Sequence, residues 1–331
     1  MSFASNAKSE VLKIELENDC CSIAFLSAII KCCGQINFGQ NGKKVVELLT
    51  EQKDLLDKVS AIVLQYYGKE SSIEKIEDFN ASKSDRYKLL FPSEITDMLL
   101  IDLGIVKMED GNMLVNNGIS DFIIADDCCK KAYVMGAFVS CSTSNIVIRD
   151  FDKRKKNNSG YHLEFIFNFD TLAEDFIKLL KHFEINAKTT LRKGVRLVYI
   201  KDYQQICDTL ALVGASKAVL DLQNEAVIRD LRNNVNRQTN CMNANMTKTI
   251  NASVKQLNAI KIIQENIGIE SLDETLAELC CIRLANPDES LDTLTKLCSK
   301  PVTKSGLNHR FEKIIAIANK IQKDNLKIQT W

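Results

Sequence analysis

Twice along the chain the apolar positions thicken into a run of helical length, NDCCSIAFLSAIIKCC at 18–33 and DDCCKKAYVMGAFVSC at 126–141, an offset of 108 residues. Asp19, Cys20, Cys21, Ala24 and Cys33 recur as Asp127, Cys128, Cys129, Ala132 and Cys141, while Phe25, Leu26 and Ile30 become Tyr133, Val134 and Phe138. After each run the period changes from 3.6 toward 2 and back, predicting strand, helix, more strand and a last helix near a glycine. In the first copy these are VVELLT (45–50), a helix over Gln52–Tyr67, strands over Ser72–Glu77 and Arg86–Phe91, and a helix over Glu94–Leu103. In the second they are YHLEFIFNF (161–169), a helix over 171–183, INAKTTL, VRLVYIK and the helix YQQICDTLALVG. The order is α+β and differs from a phosphate-binding βαβ unit. It predicts a duplicated αββαββα domain over 1–222, with repeats of about 1–112 and 113–222. Ser27, Ala28, Gly136 and Ala137 interrupt the bulk of the two apolar helices, so these helices are expected to pack with their backbones close together.

The pattern past residue 222 is wholly helical. Residues 223–268 form a connector rich in asparagine, with Val227, Leu231 and Val235 and then Ile250, Val254, Leu257 and Ile260 at helical spacing. This predicts helix, break, helix. Arg229, Arg232 and Arg237 offer auxiliary phosphate contacts there, although a solvated linker face explains them equally well. Residues 269–331 form an all-α domain of three helices, LDETLAELCCIRLA, SLDTLTKLC and TKSGLNHRFEKIIAIANKI, with a helix-turn-helix at about 290–323. Pro287 and Pro301 cannot continue a helix, and Ser290 and Thr303 are the expected N-caps. On the last helix Leu307, Phe311, Ile314 and Ala318 share one face. Ser305, His309 and Lys313 then point outward, flanked by Lys304, Asn308 and Arg310. These residue types suit phosphates and base edges, but the segment alone is explained equally by a solvated basic face.

Composition narrows the classes. The chain has 331 residues, 45% hydrophobic and 26% charged, enough for two or three domains with sizeable cores. No apolar run approaches the ~18 residues of a membrane span and the start lacks a signal-peptide pattern, so a cytoplasmic, nucleoid-associated protein with no membrane partner is expected. The zero net charge hides a gradient: residues 1–120 carry 13 basic and 18 acidic side chains, so nucleic-acid contacts should lie toward the C-terminus. The twelve cysteines lack CxxC spacing and read as reduced, largely buried thiols.

The paired apolar helices resemble those of the LAGLIDADG homing endonuclease fold, in which two such helices meet beneath a saddle of antiparallel strands. Leu26–Gly34 and Val134–Ser142 occupy the motif. The resemblance implies a metal-binding acid at the penultimate motif position, where this chain has Cys33 and Cys141. Thiols are soft ligands and Mg²⁺ selects hard oxygen, so no bound metal, no cofactor and no nuclease activity are expected. DCCKKAYVMGAFVSCST, LRNNVNRQTNC and KSGLNHRFEKI, in that order, are similar to the bacterial WhiA family, which joins a degenerate LAGLIDADG-like domain to a helix-turn-helix. This likeness implies a sequence-specific, double-stranded-DNA-binding transcription regulator tied to cell division and chromosome segregation, and to sporulation in some members. An RNA polymerase sigma factor or another regulator is an open partner. Ser142 replaces a glycine common in the family, which an ordinary helix C-cap substitution explains.

Two other readings stay open. A residual nuclease would need Glu17, Asp19, Asp126 or Asp127 in place of the motif acids, yet these precede the motif helices and read as N-caps and dipole partners. A thiol or zinc sensor would use Cys20/Cys21, Cys32/Cys33, Cys128/Cys129 and Cys141. Neighbouring side chains on a helix diverge by about 100°, so each doublet is expected to supply one ligand at most. The chain's other histidines, His162 and His182, are expected to lie away from these thiols, and His309 to face DNA or solvent.

Overall fold

The computed structural model describes residues 2–38, 44–76, 85–109, 112–146 and 160–328. It divides into two compact units, Met1–Ile228 and Arg229–Trp331, taken separately below.

The first unit contains the two repeats. In the first, α2 (Asp19–Cys33) leads into β1 (Gly34–Phe38), β2 (Lys44–Thr50), α3 (Lys53–Tyr67), β3 (Ser72–Ile76), β4 (Arg86–Leu90) and α4 (Thr96–Asp102). In the second, α5 (Asp127–Cys141) leads into β7 (Ser142–Ser144), β8 (Leu163–Phe167), α6 (Asp170–His182), β9 (Lys188–Arg192), β10 (Val195–Ile200) and α7 (Tyr203–Leu212). The expected αββαββα order is present in both copies, and Glu77 of the strand expected over Ser72–Glu77 lies outside the described residues. The sheets repeat the same antiparallel order, β1-β2-β4-β3 and β7-β8-β10-β9. Alternation along each strand decides its faces: Val46 and Leu48 of β2, and Leu163, Phe165 and Phe167 of β8, are buried, while the residues between them are less so. Phe165 and Phe167 pack on Phe176 of α6, with ring centroids 4.8 and 5.0 Å apart. The β9–β10 hairpin turns on two residues, Lys193 and Gly194, with φ of 51° and 82°. Positive φ at both is the geometry that matches the twist of tight hairpins.

The two motif helices carry the core. Most of the middle of α2 and of α5 is fully buried, including Ala24, Phe25, Leu26, Ala28, Tyr133, Val134 and Ala137. Glycine is required at 136 by the close approach of these helices, since a Cβ there would stand 2.4 Å from the Phe25 carbonyl oxygen and 2.9 Å from the Ala28 Cβ. Ser27 is buried too, and its hydroxyl donates to the Leu103 carbonyl at 2.7 Å, which satisfies it inside the core. Ser142 sits at φ −80° and ψ 150°, and Gly34 at φ −73° and ψ 145°. Both are extended, so serine replaces glycine without strain. The Ser142 hydroxyl donates to the Phe138 carbonyl at the helix end.

Several elements of this unit exceed the sequence reading, which did not locate β1, β7 or a 3₁₀ turn at Asp121–Ile124. A first helix, α1 (Phe3–Leu12), buries Ala7, Val11 and Leu12 in the same core. A small hairpin, β5 (Val106–Glu109) and β6 (Asn112–Val115), joins the repeats. The start of α8 (Ser216–Asn266) is capped from a distance: the Glu10 carboxylate of α1 accepts from the Lys217 and Ala218 amides at 2.7 and 3.2 Å.

α8 is one helix of 51 residues and has none of the expected break. Asparagine weakens a helix but does not interrupt it, and Ser216–Asn266 contains neither glycine nor proline. Its apolar residues also divide differently from expectation. Val227, Leu231, Val235, Ile250 and Val254 are exposed, whereas Ala259, Ile260 and Ile263 enter the core of the second unit. There they meet α9 (Glu274–Ala285), α10 (Leu291–Thr295) and α11 (Lys304–Ile328) around Leu276, Leu279, Cys280, Leu294, Leu307, Phe311, Ile314 and Ala318.

Gly136→Ala should overpack the α2–α5 contact and destabilise the first unit by about 1–3 kcal/mol. Gly160→Ala, with open space around it, is the control. Urea midpoints of the two variants check this; equal midpoints would mean the helices separate without penalty.

Candidate nucleic-acid interface

The helix-turn-helix is fixed by caps and by one buried cation. Ser290 accepts from the Thr293 amide at 3.3 Å and Thr303 from the Gly306 amide at 3.2 Å, so each opens its helix as the sequence indicates. Arg283 of α9 is 2% exposed. Its Nη1 donates to the carbonyls of Glu289 at 2.7 Å, Asn286 at 3.2 Å and Pro287 at 3.4 Å, and its guanidinium lies 5.4 Å from the Phe311 ring centre. The Ser253 hydroxyl of α8 donates to the Pro287 carbonyl as well. One side chain therefore satisfies the turn between α9 and α10 and packs on the core face of α11. Sequence reasoning passed over Arg283 because a charge on an amphipathic helix normally points to solvent. Its position was the available signal, since 283 completes the i, i+3, i+4, i+7 set begun by Leu276, Leu279 and Cys280.

Leu307, Phe311, Ile314 and Ala318 are buried, and the opposite face of α11 is polar. Ser305, Asn308, His309 and Lys313 are exposed there. Asn308 donates to Glu312 at 3.1 Å, and His309 lies 3.9 Å from the same carboxylate. Lys304 is exposed but ion-paired with Asp292 of α10 at 2.6 Å. Arg310 is half-buried, and its charge, with that of Lys313, helps hold the Asp273 carboxyl below its ordinary range after the larger effect of hydrogen bonding from Thr275. Arg310 also helps lower Glu278, behind the backbone and hydroxyl of Ser299. Of the six residues expected to face DNA, all but Ser305 thus begin with an acidic neighbour inside the unit. On α8, Arg237 is exposed, while Arg229 and Arg232 are half-buried and have partners.

Three family models match in chain order: the WhiA N-terminal LAGLIDADG-like domain over 19–106, the WhiA LAGLIDADG-like domain over 130–232 and the WhiA C-terminal HTH domain over 235–318. Probable cell division protein WhiA of Clostridium acetobutylicum is 35% identical over 98% of this chain and 99% of its own. The chain belongs to the WhiA family. The protein of the same name from Alkaliphilus metalliredigens is 34% identical over 97% of this chain and 98% of its own. The crystal structure of a full-length WhiA from Thermatoga maritima shares the fold, with a TM-score of 0.55 and 22% identity over 97% of this chain and 99% of that one.

In this WhiA-family chain Cys33 and Cys141, where the likeness to the endonuclease fold leads one to expect metal-binding acids, do not suit a hard divalent cation. Cys33 donates to the Ile29 carbonyl at 3.2 Å and Cys141 to the Ala137 carbonyl at 3.3 Å, so each thiol bonds its own helix. Burial pushes the Cys33 thiol up to about 12, with Cys141 adding to the rise and Lys8 opposing it. Burial also lowers the Lys8 amine, whose nearest charged influences are Cys141 and Cys33. Two thiols beside a lysine offer Mg²⁺ none of the hard oxygen ligands it selects. Two of the four acids weighed as replacements are engaged elsewhere. Asp19 accepts from Tyr66 at 2.6 Å, and Asp127 holds Lys130 at 2.7 Å and His182 at 2.8 Å. Asn18 and Asp126 hold the N-cap positions without a side-chain capping bond, so the expected carboxylate caps are not made. His182 stands beside α5's first turn through its bond to Asp127.

Lys31, also within the motif, donates to the carbonyls of Gly118 at 2.5 Å and Asn116 at 2.8 Å. Burial lowers its amine to about 8, against about 10.4 for an unfolded chain. Between those values the unfolded state binds more protons, so this group makes stability rise with pH. The buried thiols, raised in the fold, act oppositely in the same range, which makes the difference between wild type and Lys31→Met the informative quantity. That difference in urea midpoint is expected to climb in favour of wild type from pH 8 to about 10.5 and then flatten. A flat difference would show that the folded amine keeps its ordinary affinity for the proton.

Proposed function

We propose that this WhiA-family protein is a DNA-binding regulator acting in cell division, as the names of its relatives suggest, and that it is not a nuclease. The observation that carries the reading is the division of α11 into a buried apolar face and an exposed face bearing Ser305, Asn308, His309 and Lys313. Asparagine pairs with adenine edges, and serine and lysine reach phosphates or bases, so this face has the means to read a double-stranded duplex. Lys304 and Arg310 join it by exchanging Asp292 and the α9 acids for phosphate. Arg237, with Arg229 and Arg232 near it on the same helix, adds phosphate contact that raises affinity without selecting sequence. Transcriptional control follows from such binding, with a sigma factor or another regulator as the protein partner. At the motif, Cys33 and Cys141 favour a DNA-binding role without cleavage. Among the described residues no helix is long and apolar enough to cross a membrane.

Binding of labelled genomic fragments, measured across salt concentrations, tests the reading. Wild type should select particular fragments with a steep salt dependence, and Asn308→Ala/Lys313→Ala should weaken selected fragments at least about tenfold. Retained selection in the double variant would move recognition off α11, and no binding to any fragment would remove DNA as the ligand. In a separate assay, supercoiled plasmid incubated with the protein and Mg²⁺ or Mn²⁺ should remain uncut; metal-dependent nicking would reinstate the nuclease.

A further inference from the structure

The repeat brings four cysteines together at the end of the motif helices remote from Cys33 and Cys141. Cys20 and Cys21 lie in the first turn of α2, and Cys128 and Cys129 in the first turn of α5. Their four sulfurs lie within 4.8 Å of one another, and the Cys128 and Cys129 sulfurs are 3.9 Å apart. We infer that these four thiols form a tetrathiolate site for one soft divalent cation of the zinc class, clamping the two repeats together.

The distances are close to those of the bound state. A tetrahedral ion with metal–sulfur bonds of about 2.3 Å holds its sulfurs about 3.8 Å apart, so rotamer adjustments of the order of an ångström complete the site. The expectation that a vicinal pair supplies one ligand at most considered a single helix. Here two doublets face each other where α2 and α5 meet, and the ion sits between the helices, within reach of all four sulfurs. Cys21 and Cys129 are buried, Cys128 is half-buried and Cys20 is exposed. An open cleft reaching Cys20 and Cys129, with Asp102 and Phe122 on its walls, gives the ion a path from solvent.

The positive ends of two helix dipoles meet at this end, while burial raises the Cys21 and Cys129 thiols, so it is the ion that displaces their protons. Binding is acid–base and not redox: each thiol loses its proton to water as its sulfur bonds the ion, and no electron moves. Four sulfur ligands leave no open position, which makes the site structural and not catalytic.

The test uses the full chain, purified with reductant and without chelator, with elemental analysis for zinc and titration of the metal-free protein with Co²⁺. About one zinc per chain and the sulfur-to-cobalt charge-transfer absorption of a tetrathiolate are expected. Both should be lost in Cys20→Ser/Cys128→Ser, which alters the more accessible thiol of each doublet, and kept in Cys241→Ser/Cys281→Ser, which changes exposed cysteines outside the set. Removing zinc should lower the unfolding temperature of wild type. Wild type without stoichiometric zinc or the cobalt absorption, needing no variant to fold, would overturn the site. So would equal metal uptake by Cys20→Ser/Cys128→Ser, or a disulfide among the four that persists as zinc is offered.

Discussion

The first unit depends on how closely α2 and α5 approach. With no side chain at Gly136, the backbone of α5 comes within touching distance of the Phe25 carbonyl, and Ala28 and Ala137 are small enough to follow. Everything symmetrical about the unit follows from that contact. Each sheet leaves the C-terminal end of its own motif helix, at Gly34 or Ser142, in the same extended geometry and returns in the same strand order. A larger residue at 136 would meet the Phe25 carbonyl and the Ala28 side chain and push the helices apart.

The second unit rests on a buried charge. Arg283 would be expensive to bury alone, and three carbonyls and the Phe311 ring offset that cost. The arrangement ties the turn around Pro287 to the inner face of α11, so the position of the exposed face follows from a contact on its opposite side. The polar residues of α11 need no packing of their own to be held in register. This leaves them free to be chosen for what they touch outside the chain.

Periodicity made the repeat legible, because strands and helices with one buried face declare themselves at 2 and 3.6 residues. The caps Ser290 and Thr303 were legible for a similar reason, being local chemistry next to proline. What escaped depends on distant partners. α1 is a short helix whose reason for folding is a core contributed by other segments, and its Glu10 caps a helix that begins at Ser216. The break expected in α8 came from the gap in apolar spacing between Val235 and Ile250, but a stretch that stays almost wholly exposed and holds neither glycine nor proline continues as helix without burying an apolar face. Arg283 and the four gathered thiols are the same lesson in different chemistry: one helix's geometry cannot say what a second helix brings to it.

The direction of the helices explains why cysteine means different things at their two ends. An active homing endonuclease sets two carboxylates near the negative ends of two helix dipoles, an arrangement that only bound cations make tolerable. Here the thiols of Cys33 and Cys141 each bond a carbonyl of their own helix, and the Lys8 amine lies close by. At the opposite end the dipoles are positive and four sulfurs lie within 4.8 Å of one another, so an ion that displaces their protons finds its ligands already gathered. The same residue thus bonds its own helix where the helices finish and is a candidate ligand where they begin, and the helix pair keeps its close contact in both roles.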